Sequence, residues 1–379
     1  MCRSFLAGTK SLFRILLLLT VTASVLLYSG ASSGGISRGL ENVSGLLIPS
    51  LFPFMVLSSF LIRSGISAQL GRLLSPVTGC LFSLPGEASA AIIMSFIGGY
   101  PVGARCVRLL YEEKKITARQ AEQMMLFCIC SGPAFLITGV GTILIGNPTA
   151  GVILYISQLA SGLLLGILVG RIYGREKPTA NDTKPLVYEK PGLTDAFILS
   201  CSDGAAAMLQ LTAMVLFFSM MLSIAEQAGL SGMFCRLFRF IGLDYPEANA
   251  AFPIFMEVTA ASRIICGSGC SLSVMAFASG FGGICVILQV FSMLGDIPLS
   301  RLKILAFRLV NAAVSGFTVY VICLFYRPAA QTFSVAGGVN TELTSTTLAG
   351  AAALVLMSVV FVLSLRNERS YIRRTVFKY

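Results

Sequence analysis

Two apolar stretches of this chain are interrupted by residue types that can do chemistry. The first, Ser95-Phe96-Ile97-Gly98-Gly99-Tyr100-Pro101-Val102-Gly103-Ala104-Arg105, sets a proline among glycines and ends on a cation. The second, Phe252-Pro253-Ile254-Phe255-Met256-Glu257-Val258-Thr259-Ala260-Ala261-Ser262-Arg263, carries a carboxylate. Gly98, Gly99, Pro101 and Gly103 predict an unwound tip at Tyr100, whose free N–H groups and half-helix dipole can meet an anion. Glycines of this kind also serve close helix packing, but a proline in their midst favours a break. Glu257 is the strongest single candidate. A carboxylate in an apolar segment costs about 3 kcal/mol unless it faces a cavity or a partner, so it reads as a coupling-ion ligand, a proton carrier or a hydrogen-bond acceptor for a solute. The alternative is an ion pair with Arg263 or Arg105 that only fixes the local fold.

Further candidates surround these two runs. Ser131-Gly132-Pro133 makes another break, and Gly280, Gly282 and Gly283 make its counterpart in the second half. Thr259 belongs with Glu257. Gln289 lies two helical turns beyond Phe281 and can reach the same space, or can bond a neighbouring helix instead. Arg105 and Arg263 each stand four residues beyond a break residue, Pro101 and Thr259. They read either as cations that draw an anionic solute from the two membrane faces or as interfacial anchors.

Such sites require a scaffold in which broken backbone is sheltered from lipid, and composition supplies one. Of 379 residues, 55% are hydrophobic and only 12% charged, with a mean hydropathy of +0.83. Several apolar runs are long enough to cross about 30 Å of hydrocarbon. The formal charge of +11 sits in loops between apolar runs and in the tail from Arg366 to Lys378, where it sets membrane orientation and gives no sign of nucleic-acid binding. With no histidine, the commonest general base and metal ligand are missing. Cys128-x-Cys130 and Cys266-x3-Cys270 do not make a zinc site without histidine or a second pair, and the eleven cysteines read as small buried hydrophobes. No G-x4-G-K-[ST] or H-E-x-x-H motif is present, and without histidine the serine-hydrolase triad in its usual form is missing. The chain is therefore expected to be neither an ATP-driven pump by itself nor an enzyme, and to need no cofactor or metal.

Apolar runs and loop charges together predict an all-α polytopic membrane protein with about eight transmembrane helices plus two re-entrant hairpins in an inverted repeat. The parts are an N-terminal membrane helix in 1–34, a first repeat in 35–170 with its hairpin near 87–108, and a basic cytoplasmic linker at 171–192. A second repeat follows in 193–326 with its hairpin near 250–265, then a C-terminal membrane helix and basic tail in 327–379. The N-terminal apolar run from Ile15 to Tyr28 reads as an uncleaved signal-anchor, with cleavage near Ala31 as the alternative, and a second helix is expected over Ser44 to Leu61. Thr117 with Gln120 predicts a capping box, and Asn147-Pro148 predicts a turn. Both termini are expected in the cytoplasm of a cell-membrane protein. Paired, interrupted apolar segments in two halves are the sequence mark of a transporter site. The expected partners are the bilayer, a small solute, a coupling ion (H+ or Na+) and a second copy in a homo-oligomer.

The same residues carry a resemblance. Gly99-Tyr100-Pro101-x-Gly103-Ala104-Arg105, then Thr117 to Glu122, the Ser-Gly-Pro at 131–133, Glu257-Val258-Thr259, Phe281-Gly282-Gly283-Ile284-Cys285-Val286 and Gln289 resemble the sporulation integral membrane proteins of the nucleoside-recognition Gate-domain family. That family looks related to concentrative nucleoside transporters. The resemblance runs over roughly 45 to 326 and implies a solute carrier. For the sporulation group it implies movement of dipicolinic acid across the outer forespore membrane. The chain departs from the family pattern at Gly132, where an asparagine is usual, and at Ala260, where a glycine is.

Overall fold

The structure is a computed structural model that describes residues 2–174 and 192–326. Most of the 171–192 linker and the whole 327–379 segment, with its expected C-terminal membrane helix, lie outside the described residues. Every described element is helical. In the first half these are α1 (Cys2–Leu27), α2 (Ser29–Asn42), a π-helical turn at Val43–Leu47, α3 (Ile48–Arg63), α4 (Ile66–Phe82), α5 (Ala88–Gly98), α6 (Tyr100–Glu112), α7 (Ala118–Met125), a π-helical segment at Ala134–Ile145 and α8 (Pro148–Tyr173). The second half holds α9 (Leu193–Gln227), α10 (Leu230–Phe240), α11 (Tyr245–Met256), α12 (Val258–Gly267), α13 (Leu272–Phe281), α14 (Gly283–Leu294) and α15 (Arg301–Phe325). Five stretches are long and apolar enough to cross a membrane among the described residues: Ser29–Arg63, Pro148–Tyr173, Leu193–Gln227, Leu272–Leu294 and Arg301–Phe325. Arg14–Leu27 and Ala134–Ile145 are apolar but shorter.

The order of elements from the continuous stretch Ser29–Arg63 to α8 is repeated from α9 to α15: a long helical stretch, a shorter helix, two interrupted helices, a long helix. Both long helices turn into the short one through a left-handed glycine, Gly65 (φ 79°) and Gly229 (φ 78°), a conformation that costs glycine least. The short helix α10 leaves Met233, Leu237 and Phe240 exposed, as an amphipathic helix lying in a membrane interface would.

The N-terminal half of the first spanning stretch differs from expectation. The run 29–43, rich in glycine and serine, is helical and continues through the π-helical turn into α3, so the helix expected to begin near Ser44 begins at Ser29. Small residues here let two backbones approach rather than break the helix. A Cβ on Gly35 would come within 2.7 Å of the Ser219 carbonyl and 2.8 Å of Met220 Cα, both on α9. The capping box at the start of α7 is present, with Thr117 Oγ accepting from Gln120 N (3.1 Å) and Gln120 Oε1 accepting from Thr117 N (3.0 Å). Asn147 caps α8 by accepting from Thr149 N and Ala150 N. The core fills the space between the interrupted helices and α3, α8, α9 and α15.

Candidate functional site

Four breaks meet in the interior, and each is dictated locally. The α5–α6 pair turns at Gly99, whose φ of +88° and ψ of −174° suit glycine alone. Its arms fold back on each other, so that a Cβ on Gly98 would meet Val102 and one on Gly103 would press on Ser95. The second break is the irregular stretch 126–133 between α7 and the π-helical segment. The third is Glu257, extended at φ −155°, ψ 124° between α11 and α12. The fourth is left-handed Gly282 between α13 and α14.

The breaks touch in pairs. A Cβ on Gly99 would lie 3.2 Å from Gly132 N, joining the first to the second. A Cβ on Gly283 would lie 2.9 Å from the Met256 carbonyl and 3.1 Å from Glu257 N, joining the third to the fourth. Tyr100 ties the two pairs together: its hydroxyl bonds Ser131 Oγ and the Ser279 carbonyl, and Ser131 Oγ also donates to that carbonyl at 3.2 Å.

Between them lies a cavity lined by Gly99, Tyr100, Pro101, Gly132, Glu257, Thr259 and Gln289, with apolar walls from Leu47, Leu51, Phe135, Leu211, Val215, Val258 and Val286. It leaves about 40 Å³ for the centres of water molecules, room for a few waters. Seven sequence-predicted residues are thus brought together. Gly98, Gly103, Ser131, Gly282 and Gly283 stand behind the wall and shape it.

Glu257 is 1% exposed, and its charge is met by a helix terminus. Oε1 accepts from Thr259 N (2.8 Å); Oε2 accepts from Ala260 N (2.7 Å) and from Thr259 Oγ (2.6 Å). The carboxylate therefore caps α12 and sits in the positive field of its N-terminus. Neither expected ion pair forms: Arg263 is exposed, and Arg105 is held elsewhere. Thr259 Oγ accepts in turn from Asn42 Nδ2 at 3.3 Å, fastening α2 to the site.

The two flanking arginines are not brought to the cavity. Arg105 pairs with Asp203 on α9 (3.1 Å), which also pairs with Arg63 (2.7 Å), and Arg105 Nε donates to Ser59 Oγ at 3.0 Å. An acid not weighed in the sequence thus takes up the cation expected to attract solute. Arg263 lies six residues past the break, nearly two turns along α12, and is exposed rather than part of the cavity wall.

Sequence reasoning missed Arg308. It lies seven residues into α15, about 10 Å from its start, and is 3% exposed. Nε donates to the Phe281 carbonyl (3.2 Å), Nη1 donates to the Ile129 carbonyl, and the guanidinium lies 5.3 Å from the centre of the Tyr100 ring. The rule that flagged Glu257, an ionisable residue within an apolar helix, applies equally here. Arg308 lies inside the apolar run that begins at Ile304, so the signal was present in the sequence. Also missed was a buried polar seam linking α8, α13 and α15. In it Gln158 Nε2 donates to Ser315 Oγ (2.7 Å), and Ser161 Oγ donates to Asn311 Oδ1 (2.6 Å).

This set of broken helices falls in a stretch with a known likeness. Residues 46–148 match the family model described as Gate, nucleoside recognition, a span that holds the first two breaks. The chain is also 26% identical over 307 residues to the sporulation integral membrane protein YlbJ of Bacillus subtilis (strain 168), covering 73% of this chain and 74% of that protein. Both matches support the family resemblance read from the sequence, and the likeness to an integral membrane protein agrees with the five apolar stretches. No solved structure matches.

Proposed function

We propose that this protein is a membrane transporter that carries a small anionic or heterocyclic solute through the cavity between the four breaks. The observation that carries the reading is a buried carboxylate, Glu257, on the wall of a cavity formed by interrupted helices. Backbone broken at membrane depth is tolerated where it is sheltered or lines a cavity, and transporter sites are built from such half-helices. The repeated order of elements supports an inverted repeat of two re-entrant hairpins, α5–α6 and α11–α12, within about eight crossings and with both termini cytoplasmic. Because the cavity has room for only a few waters, a heterocycle enters by displacement of a hairpin tip, and movement of the two tips in turn gives alternating access.

The resemblance names dipicolinic acid as the first solute to try, and the Gate description names nucleosides as the second. Purified protein in proteoliposomes, offered radiolabelled dipicolinate and uridine separately, is expected to give saturable entry of one of them. Flux no greater than in protein-free vesicles for both would favour a gate or scaffold that does not itself transport.

A further inference from the structure

Resting on that transport reading, Arg308 speaks to what couples the movement. In transporters built from broken helices, the coupling cation is held by unwound carbonyls and half-helix C-termini. Two such groups face each other here. The Ile129 carbonyl belongs to the unwound stretch 126–133, and the Phe281 carbonyl ends α13 just before the Gly282 break. Each comes from a different half of the chain, and both are occupied by one guanidinium, through Nη1 and Nε of Arg308.

Nothing else at the site accounts for a buried cation. Arg308 forms no ion pair among the described residues. Its charge is met by the unwound Ile129 carbonyl, by the Phe281 carbonyl at the C-terminus of α13, where the dipole favours a cation, and by the face of Tyr100. Tyr100 itself lines the cavity, so the cation stands one side chain behind the solute space. The other concentration of buried oxygens, around Ser315, Ser279 and the Ala276 carbonyl, is filled by a neutral donor, Gln158 Nε2, at 2.7, 3.3 and 3.2 Å.

We infer that Arg308 is a tethered cation standing where a coupling metal ion would otherwise bind, so that solute movement does not depend on Na+ or K+. A guanidinium keeps its charge at any physiological pH, and its fork can serve both carbonyls at once. An ammonium at the same place keeps the charge but reaches the carbonyls as a single point.

The test uses the full chain in detergent, melted at equal ionic strength in NaCl, KCl or choline chloride. A protein with a filled sodium site is stabilised by mass action and melts several degrees higher in NaCl. The wild type is expected to melt alike in all three salts. R308A vacates the carbonyls and is expected to gain a rise in Tm with guanidinium or Na+ that wild type and R308K lack. A Na+- or K+-specific rise in the wild type would overturn the inference, as would a folded R308A that responds to neither cation. If R308A does not fold, the wild-type melts still decide. In proteoliposomes, flux that is equal in NaCl and choline chloride agrees with the inference, and flux that requires Na+ contradicts it. Absence of flux in every salt would sink the transport reading while the melting result on Arg308 still stood.

Discussion

The two interrupted pairs solve one problem by different means. At Gly99 the chain turns through backbone freedom alone, with no charge at the tip and Gly132 packed against it. At Glu257 the backbone is ordinary extended chain, and the turn is held by a carboxylate that caps the next helix. The difference teaches where each tip is vulnerable: the first to added volume, the second to altered charge or donor pattern. The first tip offers a solute only backbone and the Tyr100 ring, whereas the second presents Glu257 and Thr259.

The sharpest way to break this comparison is to exchange the insults. Glu257→Gln is expected to lower flux at least tenfold and also to destabilise the protein by about 1–3 kcal/mol, because an amide NH2 must then face a backbone N–H. Glu257→Asp keeps an acceptor suited to a helix N-cap and is expected to retain stability while losing part of the flux. Denaturation and uptake measured on both variants separate cap from site, and equal behaviour of Gln and Asp would remove the carboxylate from the account. Gly99→Leu should abolish flux by volume and strain together. Gly99→Ala, with φ at +88°, should cost about 1–2 kcal/mol, seen as a lowered Tm. A Gly99→Ala protein as stable as wild type would show that the tip is not held in this conformation.

Smaller effects sharpen the picture. Thr259→Val removes one of the three hydrogen bonds to Glu257 and the acceptor for Asn42. A loss of about 1–2 kcal/mol with a severalfold fall in flux is expected, measured as Tm and initial rate. Asp203→Asn leaves Arg105 and Arg63 without their acid. The pairs are partly exposed, so the expected stability change is under about 1 kcal/mol, with flux changed less than at Glu257. A larger loss of flux there than at Glu257 would move the functional centre from the cavity to the Arg105 cluster.

Much of this arrangement was legible in the sequence because breaks have local signatures. Gly98-Gly99-Tyr100-Pro101, Ser131-Gly132-Pro133 and Gly282-Gly283 each announce a break by residue type, and the Thr117 capping box by spacing. What could not be read was who meets whom. Arg105 looked like a free cation because its acid, Asp203, lies 98 positions away in sequence. Gly35 and Gly39, ahead of the helix expected at Ser44, admit α9, a partner only the fold supplies. Arg308 is a different case: its depth in an apolar helix was visible, but the carbonyls that hold it, Ile129 and Phe281, are supplied only by the fold.

The central claim is that the space between the breaks is a solute site reached from either side of the membrane. Val215 lines that space from α9, a helix without a break. The decisive measurement is labelling of Val215→Cys, in a background freed of other cysteines and reconstituted in sided vesicles, by a small impermeant thiol reagent applied from one side or the other. The account predicts reaction from both sides, slowed in each case by the transported solute. Reaction from neither side, under conditions where an exposed control cysteine is fully labelled, would mark the space as a sealed packing gap and contradict it.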